Sequence, residues 1–303
     1  FAPCAKRILA EMSNVLFDLG EISGETIFID GTKIEAAANK YTFVWKKAVT
    51  KNQTKLLIKL ADFVAECEQL YDLKIVYGDA VKMKHVKKLR KRLYALKQNE
   101  NVVFVHGIGK RKTPLQKSIE KLEDYLSRLK KYNREIHICA ERNSYSKTDH
   151  DATFMRMKED AMGNGQLKPA YNLQHGVDSE YITWLTIGSQ PTDTTTLIPF
   201  LKDAEEHLKF KYKNITADAG YESEENYLFL ESNGQLSYIK PANYEISKTR
   251  KYKNDIGKVE NMEYDSESDS YTCRNSKKLT ADHIRHSKSK TGYVSEKTIY
   301  KCE

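Results

Sequence analysis

Two short stretches of this chain decide its fold: Glu25-Thr26-Ile27-Phe28-Ile29-Asp30-Gly31-Thr32 and Asn214-Ile215-Thr216-Ala217-Asp218-Ala219-Gly220-Tyr221. In each, an apolar or β-branched run ends on an aspartate that small residues follow. Such runs predict strands, and the aspartates are then expected at the carboxyl edge of a sheet, where open α/β folds bind ligands. Two neighbouring carboxylates attract divalent cations, and paired cations promote phosphoryl transfer.

Each aspartate also has an ordinary structural explanation. Asp-Gly after an apolar run is a hairpin-turn signal, and Asp218 could cap the helix that follows it. Asp30-Gly31-Thr32 matches the second half of the Asp-x-Asp-Gly-Thr motif of haloacid-dehalogenase-like phosphatases. There the first aspartate is the nucleophile, and here that position is Phe28, which excludes the covalent step.

Composition indicates a folded protein with a basic surface. The chain has 303 residues, of which 40% are hydrophobic and 30% charged, enough for one large domain or two smaller ones. No apolar run approaches the roughly 18 residues of a membrane helix, and no signal peptide is visible. Five scattered cysteines predict no disulfide framework and a reducing cytoplasm. Cys4, Cys67 and Cys139 are expected in the core. Cys273 and Cys302 are candidates for two of the four ligands of a zinc site, although the sequence has no CxxC pair.

Positive charge is concentrated in one block. Residues 40–147 contain 26 Lys and Arg against 11 Asp and Glu, while the whole chain has a net charge of +8. Contact with DNA phosphates is favoured over a merely solvated helix face, and such binding is salt-sensitive. The candidate DNA-binding residues are Lys46, Lys47, Lys84, Lys87, Lys88, Arg90, Lys91, Arg92, Lys110, Arg111 and Lys112.

Hydrophobic spacing predicts a mixed α/β sheet with a helical block inside it. The first helix, 5–19, is expected to place Ile8, Met12, Leu16 and Leu19 on its apolar face. Three amphipathic helices follow within 43–147. Their apolar stripes are Leu56, Leu60, Phe63, Cys67 and Leu70; Val86, Leu89, Leu93 and Leu96; and Leu115, Ile119, Leu122, Leu126 and Leu129. The later elements are strands at 166–176 and 181–187, a helix at 194–209, a strand at 213–217, a helix capped by Ser223, a strand at 236–240, and weak strands near 259–264, 269–274 and 298–302.

Several ordered segments resemble bacterial insertion-sequence transposases of the DDE type. They are Ile27–Ala36, Asn39–Lys47, Asp151–Lys158, Gly165–Asn172, Pro191–Asp193 with Thr196–Phe200, and Ala217–Tyr227. The resemblance covers roughly residues 20–303. It implies an RNase H-like fold, a mixed sheet flanked by helices, with a large basic helical insertion after the first catalytic strand. The expected parts are the start of the core (1–39), the insertion (40–150), the rest of the core (151–240) and a basic tail (241–303).

The resemblance also implies a chemistry. In this family two aspartates and one glutamate hold two Mg²⁺ ions, or Mn²⁺, and Asp30 and Asp218 take the places of the catalytic, metal-ligating aspartates. The intact enzyme would hydrolyse a phosphodiester and join the 3′-hydroxyl to target DNA. Its partners would be the element ends and target DNA, with a homodimer in the transposition complex and no membrane. The expected location is the bacterial cytoplasm, at the nucleoid.

The third ligand does not carry over. The family's pattern Tyr-x2-Arg-x3-Glu-x6-Lys has no match, since the position after Tyr271 and Arg274 that needs Glu is Lys278. The sequence therefore resembles a piece truncated at both ends, expected to be inactive without the third carboxylate. The alternatives are a catalytically dead DNA-binding remnant of a decayed or split element, and a structural protein whose aspartates only make turns. Three glutamates near Asp218 are expected instead in a first helical turn: Glu222, Glu224 and Glu225.

Overall fold

A computed structural model of the chain describes residues 2–157, 163 and 165–302. Lys158 and Glu303, on which parts of the resemblance fall, lie outside the described residues. The helices are α1 (Ala2–Asp18), α2 (Lys46–Tyr71), α3 (Met83–Asn99), α4 (Pro114–Cys139), α5 (Leu197–His207), α6 (Glu224–Ser232), α7 (Tyr244–Ser247) and α8 (Arg250–Lys253). The strands are β1 (Thr26–Glu35), β2 (Phe43–Trp45), β3 (Ser144–Ser146), β4 (Thr153–Arg156), β5 (Leu167–Asp178), β6 (Tyr181–Gly188), β7 (Asn214–Ala217), β8 (Leu236–Ile239), β9 (Glu263–Asp265), β10 (Ser270–Thr272), β11 (Lys278–Lys288) and β12 (Val294–Cys302).

The chain divides into two compact units. The sheet unit comprises Phe1–Ile34 and Tyr171–Glu303, and the helical unit comprises Glu35–Ala170. In sequence, the helical unit is therefore an insertion within the sheet unit. No helix among the described residues is long and apolar enough to cross a membrane.

The main sheet is mixed, with strand order β4-β5-β1-β7-β8 and β6 paired to β5. β7 pairs parallel with both β1 and β8, whereas β5 pairs antiparallel with β6. Helices pack on this sheet, and the basic helices α2, α3 and α4 follow β1 in the chain. The structure confirms the mixed α/β, RNase H-like fold class with its helical insertion.

β1 is longer than its sequence predicts. It continues five residues beyond Asp30, to Glu35, although its pairing with β7 ends at Ile29 and Ala217. The expectation that the strand closes at Asp30 is wrong, and so is a hairpin turn at Asp30-Gly31. β1 continues because β5 lies along its other edge and supplies partners there.

One face of the sheet holds the core of the sheet unit. Ile27 and Ile215 pack there against Phe200 of α5, and all three side chains are buried. The side chains at the alternate positions of the same strands are exposed: Phe28 of β1 is 55% exposed and Tyr238 of β8 is 56% exposed. Because side chains alternate along a strand, these two residues lie on the opposite, open face.

The predicted apolar face of α1 is wrong. Ile8, Met12 and Leu19 are exposed, and the buried residues of this helix are Ala10 and Ser13. The Ser13 hydroxyl donates a 2.7 Å hydrogen bond to the carbonyl of Thr183 in β6. Small residues allow the helix to approach the sheet closely, which hydrophobic spacing alone does not indicate.

The helical unit has a core of its own. The stripes predicted for α2, α3 and α4 are buried together, except that Leu70 of α2 is exposed and Leu96 of α3 is half-buried. Phe63 of α2 meets Tyr125 of α4 edge to face, with ring centroids 5.6 Å apart. α4 begins where the Thr113 side chain accepts a hydrogen bond from the backbone N–H of Gln116, with proline at the first helical position.

The C-terminal segment forms a second sheet, with strand order β12-β11-β10-β9. Its long ribbon β11–β12 is largely exposed, and only a weak strand near 298–302 was predicted there. The tip of the ribbon contacts α6: the Tyr293 hydroxyl donates to Glu224 at 2.8 Å and the Thr291 hydroxyl donates to Glu225 at 2.6 Å.

None of the five cysteines, all of which lie in the described part of the chain, forms a disulfide. Cys67 and Cys139 are buried as predicted, but Cys4 is exposed, so the expectation that it lies in the core is wrong. Burial raises the pKa of the Cys67 thiol to about 12. Cys273 and Cys302 belong to no group of three close metal-binding side chains among the described residues.

Candidate active site

Asp30 and Asp218 occupy neighbouring positions just beyond the paired residues of the parallel strands β1 and β7. Asp218 follows the end of β7, whereas Asp30 lies within β1. Ile29 of β1 is the register partner of Ala217 of β7, and each aspartate is the next residue of its chain. Parallel neighbours of this kind lie about 4.8 Å apart along the hydrogen-bonding direction. Both aspartates are exposed, and both follow the alternation of the open face of the sheet.

Backbone amides fix one oxygen of each carboxylate. Asp30 Oδ1 accepts a 2.8 Å hydrogen bond from the N–H of Gly31, and Asp218 Oδ1 accepts one of 2.8 Å from the N–H of Gly220. Asp218 thereby caps the short 3-10 turn Ala219–Tyr221. α6 has its own cap, because the Ser223 side chain accepts from the N–H of Asn226. Capping the helix is therefore the work of Ser223 and not of Asp218.

Tyr221 lies beneath this edge, fully buried. Its hydroxyl donates a hydrogen bond to Gln174 Oε1. Burial raises the pKa of Tyr221 above its usual range, and the charges of Asp193, Asp30 and Asp218 raise it further. The phenol therefore stays protonated.

Asp193 is the carboxylate that the sequence analysis missed. Its Oδ1 accepts hydrogen bonds from Asn172 Nδ2 at 2.7 Å and from Gln174 Nε2 at 3.1 Å. A Cβ on Gly31 would stand 2.7 Å from the same oxygen. In sequence, Asp193 precedes a helix by four residues and resembles an ordinary polar loop residue, and only its place in the fold brings it beside Gly31.

Three glutamates after Asp218 have other partners. Glu224 and Glu225 occupy the first turn of α6, as predicted, and accept the hydrogen bonds from the β11–β12 ribbon. Glu222 Oε2 accepts a 2.6 Å hydrogen bond from the N–H of Ala242. These contacts give the three side chains structural roles.

Among the described residues, one group of three side chains has ligand atoms close enough to share a metal: Asp203, Glu206 and His207 of α5. Asp203 already pairs with Lys6 at 2.5 Å and accepts a 3.1 Å hydrogen bond from Trp184 Nε1. These bonds tie α5 to α1 and β6, so we interpret the cluster as structural. The group does not include Asp30 or Asp218.

The predicted DNA-binding residues all lie in the helical unit, and most of them are exposed. Lys46 is the exception, since it is half-buried and its Nζ donates to the carbonyl of Ala140. Arg90 pairs with Glu123 at 2.5 Å and Lys112 with Glu120 at 2.6 Å. The exposed residues are Lys47, Lys84, Lys87, Lys88, Arg90, Lys91, Arg92, Lys110, Arg111 and Lys112.

An open groove of about 590 Å³ runs between α3 and α4. Lys87, Lys91 and Lys130 line it together with Arg90, and Tyr94 adds an aromatic ring. The apolar side of α3 is buried in the three-helix core. Its basic side is therefore presented at a concave surface that a phosphate backbone could enter.

A comparison with protein families gives a match to this chain. The family described as "Transposase DDE domain" matches residues 142–301, more than half of the chain. The chain belongs to the DDE transposase family. No curated protein and no solved structure gives a significant match. The part that matches the transposase domain includes Asp193 and Asp218, whereas Asp30 precedes it.

Proposed function

We propose that this transposase-family chain carries the DNA-cutting and DNA-joining site of a mobile element, with Asp30 and Asp218 as its metal-binding aspartates. The observation that carries this proposal is the register of β1 and β7, which brings two aspartates 188 positions apart in sequence to adjacent positions just beyond the paired residues. The substrate would be a phosphodiester bond at the element's end, and then target DNA.

The two carboxylates suit a hard divalent cation. Mg²⁺ prefers oxygen ligands and is usually held by one or two carboxylates together with waters and substrate phosphates. Asp218 Oδ1 is occupied by the N–H of Gly220, and its second oxygen has no partner among the described residues. Mg²⁺, or Mn²⁺, when bound as a pair, would activate a water or 3′-hydroxyl and stabilise the leaving oxygen.

The chain's own residues would prepare this site. Asp30 and Asp218 bind the cations, while the amides of Gly31 and Gly220 orient their carboxylates. Tyr221 stays neutral beneath them, because burial and the three nearby charges raise its pKa. It therefore adds no further negative charge to the edge of the sheet.

The basic groove of the helical unit is our proposed contact for the DNA backbone. Lys87 and Lys91 lie one helical turn apart on α3 and both line the groove. Arg90 is held by Glu123, so the two lysines have the freer charges. Phosphate contacts of this kind position DNA without reading its sequence.

A catalytically dead, DNA-binding remnant is the second candidate. It is favoured by one observation: no third side chain among the described residues forms a close ligand group with Asp30 and Asp218. Such a remnant would bind DNA through the helical unit and would show no metal binding that depends on the two aspartates.

A Mn²⁺ titration followed by electron paramagnetic resonance of the free ion tests the metal site. We expect Asp30→Asn and Asp218→Asn each to weaken binding at least about tenfold, because each removes a charged oxygen ligand. The matched control is Asp62→Asn, the same change at an exposed position of α2. Absence of Mn²⁺ binding, or equal binding by all variants, would favour the remnant.

A further inference from the structure

Asp193 is held in place by neutral, buried partners. Asn172 and Gln174 of β5 are 0% and 2% exposed, and both donate to its Oδ1. Gln174 Nε2 also donates a hydrogen bond to Asn172 Oδ1 at 3.0 Å, and Gln174 Oε1 accepts one from the Tyr221 hydroxyl. These hydrogen bonds fix the orientation of the Asp193 carboxylate, which lies at the end of the buried network.

The same carboxylate lies beside both Gly31, which follows Asp30 in β1, and Gly220, which follows Asp218 by two residues. The position of a Cβ on Gly31 is 2.7 Å from Asp193 Oδ1. The corresponding position on Gly220 is 3.5 Å from Asp193 Oδ2 and 3.0 Å from Asp218 Oδ1. The neighbouring Thr194 hydroxyl donates to the carbonyl of Gly220 at 3.0 Å, which fastens the Asp193 loop to the Asp218 loop.

Three carboxylates, those of Asp30, Asp218 and Asp193, therefore lie near one another at this edge of the sheet. The hydrogen-bond partners of the Asp193 carboxylate are neutral. The side chains that hydrogen-bond Asp193 are amides, which do not neutralise its charge. Like charges held together repel one another, and a divalent cation relieves that repulsion. Within the described part of the chain, Asp193 shares no close group of three ligand atoms with Asp30 and Asp218. Its effect would therefore be exerted through space and not as a direct ligand.

We propose that Asp193 is a positioning residue of the Asp30–Asp218 site, whose fixed negative charge strengthens divalent cation binding. Its carboxylate lies against Gly31 of β1, and its loop is fastened to the Asp218 loop. This role rests on the proposed metal site. It explains why a half-buried carboxylate is kept beside two others at the cost of repulsion.

Asp193→Asn is the decisive variant. An asparagine keeps a carbonyl oxygen that can accept from Asn172 and Gln174, and it removes only the charge. A unit charge acting on a divalent ion through a high effective dielectric changes affinity by on the order of tenfold. We expect Mn²⁺ binding about tenfold weaker than in the unmodified chain, with unchanged affinity in the Asp62→Asn control and an unchanged melting temperature without metal.

The outcomes separate the two proposals. If Asp30→Asn weakens Mn²⁺ binding and Asp193→Asn does not, the role of Asp193 is overturned and the metal site stands. If Asp30→Asn has no effect, the metal site itself fails, and the role of Asp193 fails with it.

A measurement on the unmodified chain covers the case in which Asp193→Asn does not fold. Mn²⁺ broadens nearby nuclear resonances, so the side-chain amides of Asn172 and Gln174 should broaden early in a titration. Gln53, which bonds Asn133 in the helical unit, supplies the reference amide. Equal broadening of all three amides would place the cation away from Asp193 and overturn the proposal.

Discussion

At the residue scale, Gly31 is the tightest point of the candidate site. A Cβ there would stand 2.7 Å from both Asp193 Oδ1 and Gln174 Nε2, closer than real Cβ atoms approach other heavy atoms. The requirement for glycine comes from this close approach, since Gly31 is not among the glycines with positive φ. The side chains of Asp193 and Gln174 therefore pack directly against the backbone of β1 at Gly31.

Gly31→Ala should lower the stability of the sheet unit by about 1–3 kcal/mol, the usual cost of overpacking a close contact. Urea unfolding in a Trp45→Phe background measures this, because buried Trp184 is then the one remaining tryptophan and lies in the sheet unit.

The matched control is Gly188→Ala in β6. Its added Cβ would meet only the carbonyl oxygen of Asn172, at an ordinary 3.9 Å. We expect a change within about 0.5 kcal/mol there. Equal stabilities for both variants would show that the space beside Asp193 is not restricted.

At the scale of elements, α3 carries the proposed DNA contact. Lys87→Ala combined with Lys91→Ala should reduce the slope of log affinity against log salt by about 2, since each lost phosphate contact removes about 0.9. Fluorescence anisotropy with a labelled duplex over a range of NaCl concentrations measures the slope.

Lys55→Ala combined with Lys59→Ala is the control for that experiment. It removes the same charge from exposed positions on α2, outside the groove. A flat salt dependence of the unmodified chain, or an equal loss of slope in the control, would contradict DNA contact through the groove.

Elements with strong apolar spacing could be predicted from the sequence, because burial enforces that spacing. The stripe Leu115, Ile119, Leu122, Leu126 and Leu129 predicted α4, and all five residues are buried. The β11–β12 ribbon could not be predicted in this way, since it exposes both of its faces and shows no alternation.

The residues of the candidate site also differ in how far the sequence predicts them. Asp30 and Asp218 could be singled out because each follows an apolar or β-branched run in the sequence. Asp193 could not, because its neighbours in sequence are polar and its importance comes from Gly31 and Gly220, which lie far from it in the chain.

At the scale of the whole molecule, each unit buries a thiol or phenol that stays protonated in the folded state. Burial raises the pKa of Cys67 in the helical unit to about 12, from an ordinary 9.0. Burial also raises the pKa values of Tyr212 and Tyr221 in the sheet unit above their ordinary 10.0.

Stability should therefore fall as pH rises above 9. The unfolded chain releases these protons at the ordinary pKa values, whereas the folded chain retains them, so the unfolded state binds fewer protons and is favoured. Urea midpoints followed by circular dichroism at pH 8, 9, 10 and 11 measure the decline.

Cys67→Ala is the variant that isolates the thiol. It lowers stability at every pH through the cavity it leaves, but it should flatten the decline between pH 9 and 10, where the unfolded thiol titrates. A midpoint that stays constant from pH 8 to 11 in the unmodified chain would contradict the expectation.

The contact between Gly31 and Asp193 also has an evolutionary consequence. Every substitution at Gly31 adds at least one carbon atom, and that atom would collide with the Asp193 carboxylate. The Gln174 amide stands equally close, so drift at position 31 is conditional on both side chains. A lineage that replaced Asp193 by a smaller residue would still be expected to retain the glycine, until position 174 had also changed.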